Sequence, residues 1–205
     1  MARRSDHTRE ELKDLILKAS SKIVETEGFA ALTARRIAQE IGYAPGTIYN
    51  LFSSMDDLYL NVSVGTLERL RSLLASPECN NPKKSPVQNI KKMAQLYRDF
   101  ARSYRPHWLM LFTHTMAEGQ DAPAWFYEKI DCLFEPLEGL LESFYTPNEA
   151  RERKMAARVL WSSVHGLCFL EETGKMPLIS NSETAPDMAG YLIDNFISGI
   201  RAGRS

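Results

Sequence analysis

Three sets of residues have types and spacings that could do chemistry. His114 and Glu118 stand four apart, and His107 lies seven before His114. On one continuous helix all three would share a face and offer donors that a divalent ion accepts. Pro106 and Gly119 read instead as helix ends, and solvated or hydrogen-bonded histidines are the competing reading. Cys79, Cys132 and Cys168 are odd in number and contain no C-x-x-C pair. Neither a disulfide framework nor a zinc ribbon is indicated, and three reduced thiols in a reducing compartment are expected. The third set is Pro45-Gly46-Thr47-Ile48-Tyr49-Asn50, short or hydrogen-bonding groups at the start of a helix, where base edges and phosphates can be met. No nucleophile–base motif, Gly-rich phosphate loop or paired metal motif is found. No catalytic residue, metal ligand or cofactor is therefore assigned.

Composition narrows the classes. The chain has 205 residues, 44% apolar and 25% charged, ordinary values for a globular protein. No stretch reaches the roughly 18 apolar residues of a membrane span. The charged start, Met1-Ala2-Arg3-Arg4-Ser5-Asp6-His7, is followed by no apolar core of a signal peptide, so a cytoplasmic protein is expected. Lys and Arg number 25 against 26 Asp and Glu, net −1, which excludes a wholly basic nucleic-acid coat. Only residues 76–105 lean basic: Lys83, Lys84, Lys91, Lys92, Arg98, Arg102 and Arg105 face Glu78 and Asp99. A solvated helix face is the simpler reading of that run, and recognition of an anionic ligand the sharper one.

The elements that must hold these residues are helical. Leu12, Leu15, Ile16, Ala19, Ile23 and Val24 repeat at helical spacing. Thr8 and Glu11 form a capping-box pattern before them, and Gly28 stands where the helix should stop; a first helix is expected over 8–27. Thr33 caps a second, 33–40, which Gly42 ends. Pro45 suits the first turn of a third, about 45–51. Ser53 or Ser54 caps a fourth, to about 75. Residues 76–86, with three prolines, read as a linker. Further helices are expected over 86–104, 106–117, 123–145, 148–173 and 184–201, about nine in all and no convincing strand. The fold class is all-α.

Helices two and three form a helix-turn-helix. Gly42 permits the turn, Ala38 allows a close crossing, and Ile48 locks the third helix inward. Pro45, Gly46, Thr47, Tyr49 and Asn50 are left facing out, at the end of the helix that can enter a major groove. Arg3, Arg4, Arg9, Arg35 and Arg36 could add positive charge nearby. A small three-helix bundle that binds nothing would share the spacing.

The run Gly28-Phe29-Ala30-Ala31-Leu32-Thr33-Ala34-Arg35-Arg36-Ile37-Ala38-Gln39-Glu40-Ile41-Gly42-Tyr43-Ala44-Pro45-Gly46-Thr47-Ile48-Tyr49-Asn50-Leu51-Phe52 resembles the DNA-binding domain of the tetracycline-repressor (TetR) family. The likeness spans residues 11–60. It implies a dimeric, ligand-controlled regulator of transcription, usually a repressor, with a helix-turn-helix DNA-binding domain at 1–53. A ligand-binding and dimerisation domain would follow at 54–205, entered through a connecting helix at 54–75. The family's DNA-contacting positions carry over to Thr33, Arg35, Pro45, Gly46, Thr47, Tyr49 and Asn50. Two departures stand out. Ala44 replaces a frequent Ser N-cap. Met55 replaces the usual Lys that touches phosphate, and Asp56 and Asp57 beside it repel phosphate further.

Residues 97–134 are crowded with aromatic and Met side chains, most of which read as core. The resemblance implies a mainly apolar ligand cavity among these helices, with Tyr97, Tyr104, Trp108, Phe112, Trp125, Phe126, Trp161 and His165 as candidate liners. Trp161-Ser162-Ser163-Val164-His165-Gly166 is similar to the W-x-x-x-H-G pattern of one subgroup of TetR C-terminal domains. Gly166 would let another helix approach closely. The resemblance also implies a homodimer through the last two helices, with Val159, Val164, Leu167, Leu170, Leu192, Phe196 and Ile200 as apolar contacts.

The leading reading is a non-enzymatic regulator that binds a palindromic DNA operator as a homodimer and is released by a small apolar effector. Two others stand beside it. One is a helical interaction protein whose helix-turn-helix no longer reads DNA. The other is a helical enzyme with a metal or thiol site at His107, His114, Glu118 or Cys168.

Overall fold

The structure is a computed structural model that describes residues 7–203. Arg3 and Arg4, expected to add positive charge, lie outside the described residues. Among the described residues there are ten α-helices, four short 3-10 turns and no strand. The chain divides into two compact units. One holds the residues up to Thr66 together with Tyr104–Phe126, and the other holds Leu67–Ser103 and the chain from Tyr127 on. The linear boundary expected at residue 53 is thus not the boundary of compactness.

In the first unit, α1 (Arg9–Glu27) opens with the expected capping box. The Thr8 N–H donates to Glu11 Oε2 at 2.7 Å, and the Glu11 N–H to Thr8 Oγ1 at 3.2 Å. Those bonds hold the Glu11 carboxyl below its ordinary pKa. Thr33 caps α2 (Ala34–Ile41) by accepting from the Arg36 N–H at 3.2 Å. Gly42 takes φ +74°, a left-handed conformation that glycine adopts without a Cβ clash. The Gly42 and Tyr43 N–H groups both donate to the Ala38 carbonyl. The chain then enters α3 (Gly46–Tyr49). α6 (Arg105–Thr113) comes back to pack on α1. Ile16, Ile23, Leu32, Ile37, Ile48, Phe52, Leu58 and Met110 form the shared core, each contributing on the order of 1.5–3 kcal/mol by leaving water.

Two expected helices come out differently. The one expected over 106–117 ends at Thr113; His114 leaves it at φ −67°, ψ 129°, and Gly119 turns the chain at φ +76°. The one expected over 123–145 is two, α7 (Ala124–Asp131) and α8 (Glu135–Leu141). Pro136 has no N–H to give the Cys132 carbonyl, and its ring crowds that carbonyl. The backbone tightens there to i→i+3 bonds, Leu133 to Ile130 and Phe134 to Asp131, each 3.0 Å.

In the second unit, α5 (Pro86–Ser103), α8, α9 (Ala150–Glu172) and α10 (Ala185–Ala202) pack around Ile90, Met93, Tyr97, Leu137, Leu141, Leu160, Val164 and Ile193. α4 (Met55–Leu74) supplies Leu58 and Val62 to the first unit and Leu67, Leu70 and Leu74 to the second. The segment expected as a linker is anchored. Cys79 is fully buried, Asn80 Nδ2 donates to the Leu74 carbonyl at 3.2 Å and Asn89 Nδ2 to the Asn81 carbonyl at 3.0 Å.

Candidate functional site

The helix-turn-helix separates packing residues from presenting ones. Ile48 and Phe52 point into the core, 0% and 2% exposed, while Tyr49 on the same turn is 55% exposed. Thr33, Arg35, Pro45, Gly46 and Asn50 are exposed as well, and Thr47 is half-buried. A Cβ added at Gly46 would meet no atom of the described residues within 4 Å, so the backbone there is open to a ligand surface. α3 has no side-chain cap, and its N-cap is Pro45 rather than Ala44; the Thr47 N–H donates to the Ala44 carbonyl at 2.9 Å. Together these residues form one outward surface of short, hydrogen-bonding groups.

Arg36 does not join it. Its Nη2 lies 2.6 Å from Glu27 Oε1 and its Nη1 2.9 Å from Glu40 Oε2. Lys22 Nζ meets Glu40 Oε1 at 2.9 Å. The expected free charge is thus spent on tying α2 to α1, nine residues back in sequence. Its neighbour Arg35 has no ion pair among the described residues and keeps its charge on the surface. At the start of α4, Met55 packs against the first unit's core. Asp57 Oδ2 accepts from the Ser53 N–H at 2.8 Å, and the Asp57 N–H donates to Ser54 Oγ at 3.1 Å. That helix end is satisfied by its own side chains.

The histidines expected on one face have separate duties. Buried His107 sets Nε2 2.8 Å from Ser21 Oγ. His114 packs edge-on to Phe29 and Tyr59; its Nε2 is 3.2 Å from Asp56 Oδ1, close enough for attraction if protonated but outside hydrogen-bond geometry. Glu118 lies beyond the helix end. Among the described residues no group of three or more His, Cys, Asp or Glu side chains is placed to hold a metal ion. Burial pushes the Cys168 thiol up to about 12, so it is a neutral thiol rather than a nucleophile.

The second unit holds an apolar slot. Tyr97, Met93, Phe134, Leu137, Leu160 and Trp161 are among its walls, and its empty volume, mouth included, is about 440 Å³. Tyr97 Oη and His165 Nδ1 are 2.7 Å apart. The His165 ring stacks on Trp161, centroids 4.8 Å apart at 23°, and Phe134 meets Trp161 edge-on at 5.5 Å. Burial holds His165 down to about 4, so the imidazole is neutral at pH 7 and one ring nitrogen remains an acceptor.

Of the expected liners, Tyr97 and Trp161 line the slot and His165 adjoins it. Tyr104, Trp108, Phe112, Trp125 and Phe126 belong to the first unit instead. Trp108 is fully buried there, 5.2 Å from Phe112 between centroids, and Trp125 meets Phe126 edge-on. The reason is local: α5 stops at Ser103 and Pro106 starts a new helix. The remaining liners, such as Met93, Leu137, Leu160 and Ile193, are ordinary aliphatic residues, and no sequence signal distinguishes them from core. A Cβ at Gly166 would meet nothing within 4 Å among the described residues, so no described helix of the same chain uses the close approach expected there. Val164 is buried and lines the slot; it is not a surface contact.

A chain all-helical over its described residues, with an outward-facing recognition turn in one unit and an apolar slot in the other, is built as a helix-turn-helix regulator of transcription. The model described as "Bacterial regulatory proteins, tetR family" matches residues 16–62. The model described as "Tetracyclin repressor-like, C-terminal domain" matches residues 90–194, just over half the chain. The chain belongs to the TetR family of transcriptional regulators. It is 26% identical over 176 residues to a helix-turn-helix-type transcriptional regulator of Mycobacterium tuberculosis, covering 86% of this chain and 77% of that one. A TetR-like regulator from Rhodococcus sp. RHA1 superposes with TM-score 0.61 at 19% identity, covering 94% and 99% of the two chains. A multidrug binding protein, EbrR, solved with imidazole, gives TM-score 0.62 at 19% identity over 93% and 96%. At these identities the solved structures speak for the fold.

Proposed function

We propose that this regulator acts in the cytoplasm as a homodimeric repressor without enzymatic activity. It binds a palindromic operator through Thr33, Arg35, Pro45, Gly46, Thr47, Tyr49 and Asn50, with residues 1–53 as the DNA-reading domain. The observation that carries this reading is the division of α3: Ile48 is wholly buried and Tyr49 is 55% exposed one residue later. The packing side fixes the turn and leaves the polar side free for the groove. Arg36 acts here as a positioning residue, through Glu27 and Glu40.

Residues 54–205 sense and dimerise. Met155, Val159 and Tyr191 are exposed on α9 and α10, and Leu192 and Phe196 are half-exposed beside them. An isologous pairing of these helices would cover this apolar face and match the two-fold symmetry of an operator. The effector is a small, mainly apolar molecule in the Tyr97–Trp161 slot. It favours a conformation whose recognition helices no longer fit successive major grooves, and α4, divided between the two units, carries the change.

The test is a titration on DNA from upstream of the protein's own and adjacent genes, at two salt concentrations. Tight, salt-sensitive binding to one fragment is expected. Thr47→Ala and Tyr49→Phe should each weaken it by about 1 kcal/mol or more, the scale of a lost hydrogen bond to a charged group. Equal, weak binding to every fragment, indifferent to both substitutions, would favour the interaction protein whose helix-turn-helix does not read DNA.

A further inference from the structure

We propose that the second unit contains another small-molecule site, selective for a carboxylate with an apolar body, in the cavity between α5, α9 and α10. Its empty volume, mouth included, is about 710 Å³. Lys91, Gln95 and Arg98 line it from α5; spaced i, i+4 and i+7, they form one polar stripe along a single helix face. The opposite walls are apolar and low: Leu167 from α9, and Ala185, Ala189 and Gly190 from α10. The small side chains create the room. Among the described residues no carboxylate lines the cavity, although carboxylates outnumber cations in the chain as a whole.

Arg98 is the group that asks for a ligand. Its Nε is buried and has no hydrogen-bond partner among the described residues. The carboxylates nearest it are Asp99 Oδ1, 3.6 Å from Nη2, and Glu171 Oε2, 3.9 Å from Nε. Charge-assisted bonds run about 2.7–2.9 Å, so neither carboxylate completes the guanidinium. Glu171 Oε2 is itself buried without a hydrogen bond, and Glu171 Oε1 is taken by Arg102 at 2.7 Å. A planar carboxylate supplies two acceptors in the geometry the guanidinium fork presents. The Gln95 amide offers a further donor, and Lys91, held by Asp194 at 2.7 Å, adds positive potential. Phosphate would need more donors than one fork and one amide give, and it has no apolar part for the opposite wall. The Cys168 thiol in the wall stays neutral and acts as apolar surface.

This cavity differs from the Tyr97–Trp161 slot, although Ala94, Val164 and Ile193 are common to both. Among the described residues the slot has no charged side chain in its walls. The inference stands apart from DNA binding and from the apolar effector, because the protein alone reports it. Isothermal titration of the full chain with benzoate and 4-phenylbutyrate, against benzamide and 4-phenylbutyramide, is the experiment. The acids should bind at least about tenfold more tightly than the amides, the scale of one charge-assisted bond. Arg98→Gln should erase that preference. Gly190→Leu should abolish acid binding, since a side chain there grows into open space. Lys129→Gln removes a surface cation paired with Glu68 and should leave binding unchanged. Acids and amides binding alike, no acid binding at all, or inorganic phosphate competing as well as benzoate would each overturn the proposal. Should Arg98→Gln fail to fold, the acid-to-amide ratio of the native chain and the Gly190→Leu result decide it.

Discussion

α3 turns Pro45, Gly46, Tyr49 and Asn50 outward on little more than one turn of helix. Tyr97 and His165 instead meet inside the second unit from two long helices, 68 residues apart in sequence. The first surface is set by a few adjacent residues: Gly42 turns the chain, Pro45 starts the helix, and Ile48 anchors it. Its presenting side chains hold little structure up. In the slot the same side chains are both wall and core, so recognition and stability cannot be altered separately there. On the proposed reading, a change of operator costs folding little, whereas a change of effector disturbs the packing of α5 and α9.

The sharpest break of that contrast is at Ile48. Ile48→Ala should cost about 2–5 kcal/mol of stability, as large-to-small core changes do. It should also weaken operator binding, because α3 loses its anchor. Tyr49→Phe, its neighbour, should leave the urea midpoint within about 0.5 kcal/mol of the parent while weakening DNA binding. Urea unfolding and the DNA titration on both variants make the comparison. If Tyr49→Phe destabilised as much as Ile48→Ala, the outward face would be a structural one.

The slot gives a pH signature that the recognition turn lacks. His165 titrates near 4 when folded, below its ordinary 6.5, because burial disfavours the charged imidazole. Between those values the unfolded chain carries the proton and the folded chain does not. Stability from this group is therefore fully present above about pH 6.5 and is lost as the pH falls toward 4. His165→Asn should flatten that part of the stability–pH curve, read from urea midpoints at several pH values. An unchanged slope would mean that the imidazole is already solvated and that the stack on Trp161 is loose.

The same contrast explains what could be read from the residues in advance. Thr8 with Glu11, Thr33 with the Arg36 N–H, and Gly42 with Ala38 act within four residues, so their signals are local and were legible. The break before α8 was hidden because apolar spacing continues through Phe126, Ile130, Leu133, Phe134 and Leu137, while one missing N–H at Pro136 decides the matter. The ion pairs that remove Arg36 from the surface reach back to Glu27, across a turn that spacing alone does not orient. The slot was half visible. Trp161 and His165 share a helix face by their spacing, and Tyr97 carries a polar group among apolar neighbours. Nothing in the run from Tyr104 to Phe126 announces that its aromatic residues pack in the other unit. The end of α5 near Pro106 was legible; that α6 then packs on α1 is a tertiary contact no local signal announces.

The smallest expected effect lies where the two units share α4. Met55 occupies the position at which the family resemblance implies a phosphate-contacting Lys, and here it rests against the first unit's core. Met55→Lys can keep much of that contact, since a lysine stem covers apolar surface while its ammonium reaches water. Asp57 is engaged with Ser53 and Ser54 and Asp56 lies beside His114, so neither carboxylate is poised to capture the new charge. One added phosphate contact should steepen the dependence of log K on log salt by about 0.9 per protomer and tighten binding at low salt. Titrations of parent and variant at three salt concentrations measure it. Parallel slopes would place residue 55 away from the DNA backbone. The recognition turn would then dock without help from the start of α4, and the helix that joins the two units would sense DNA only through the core beneath it.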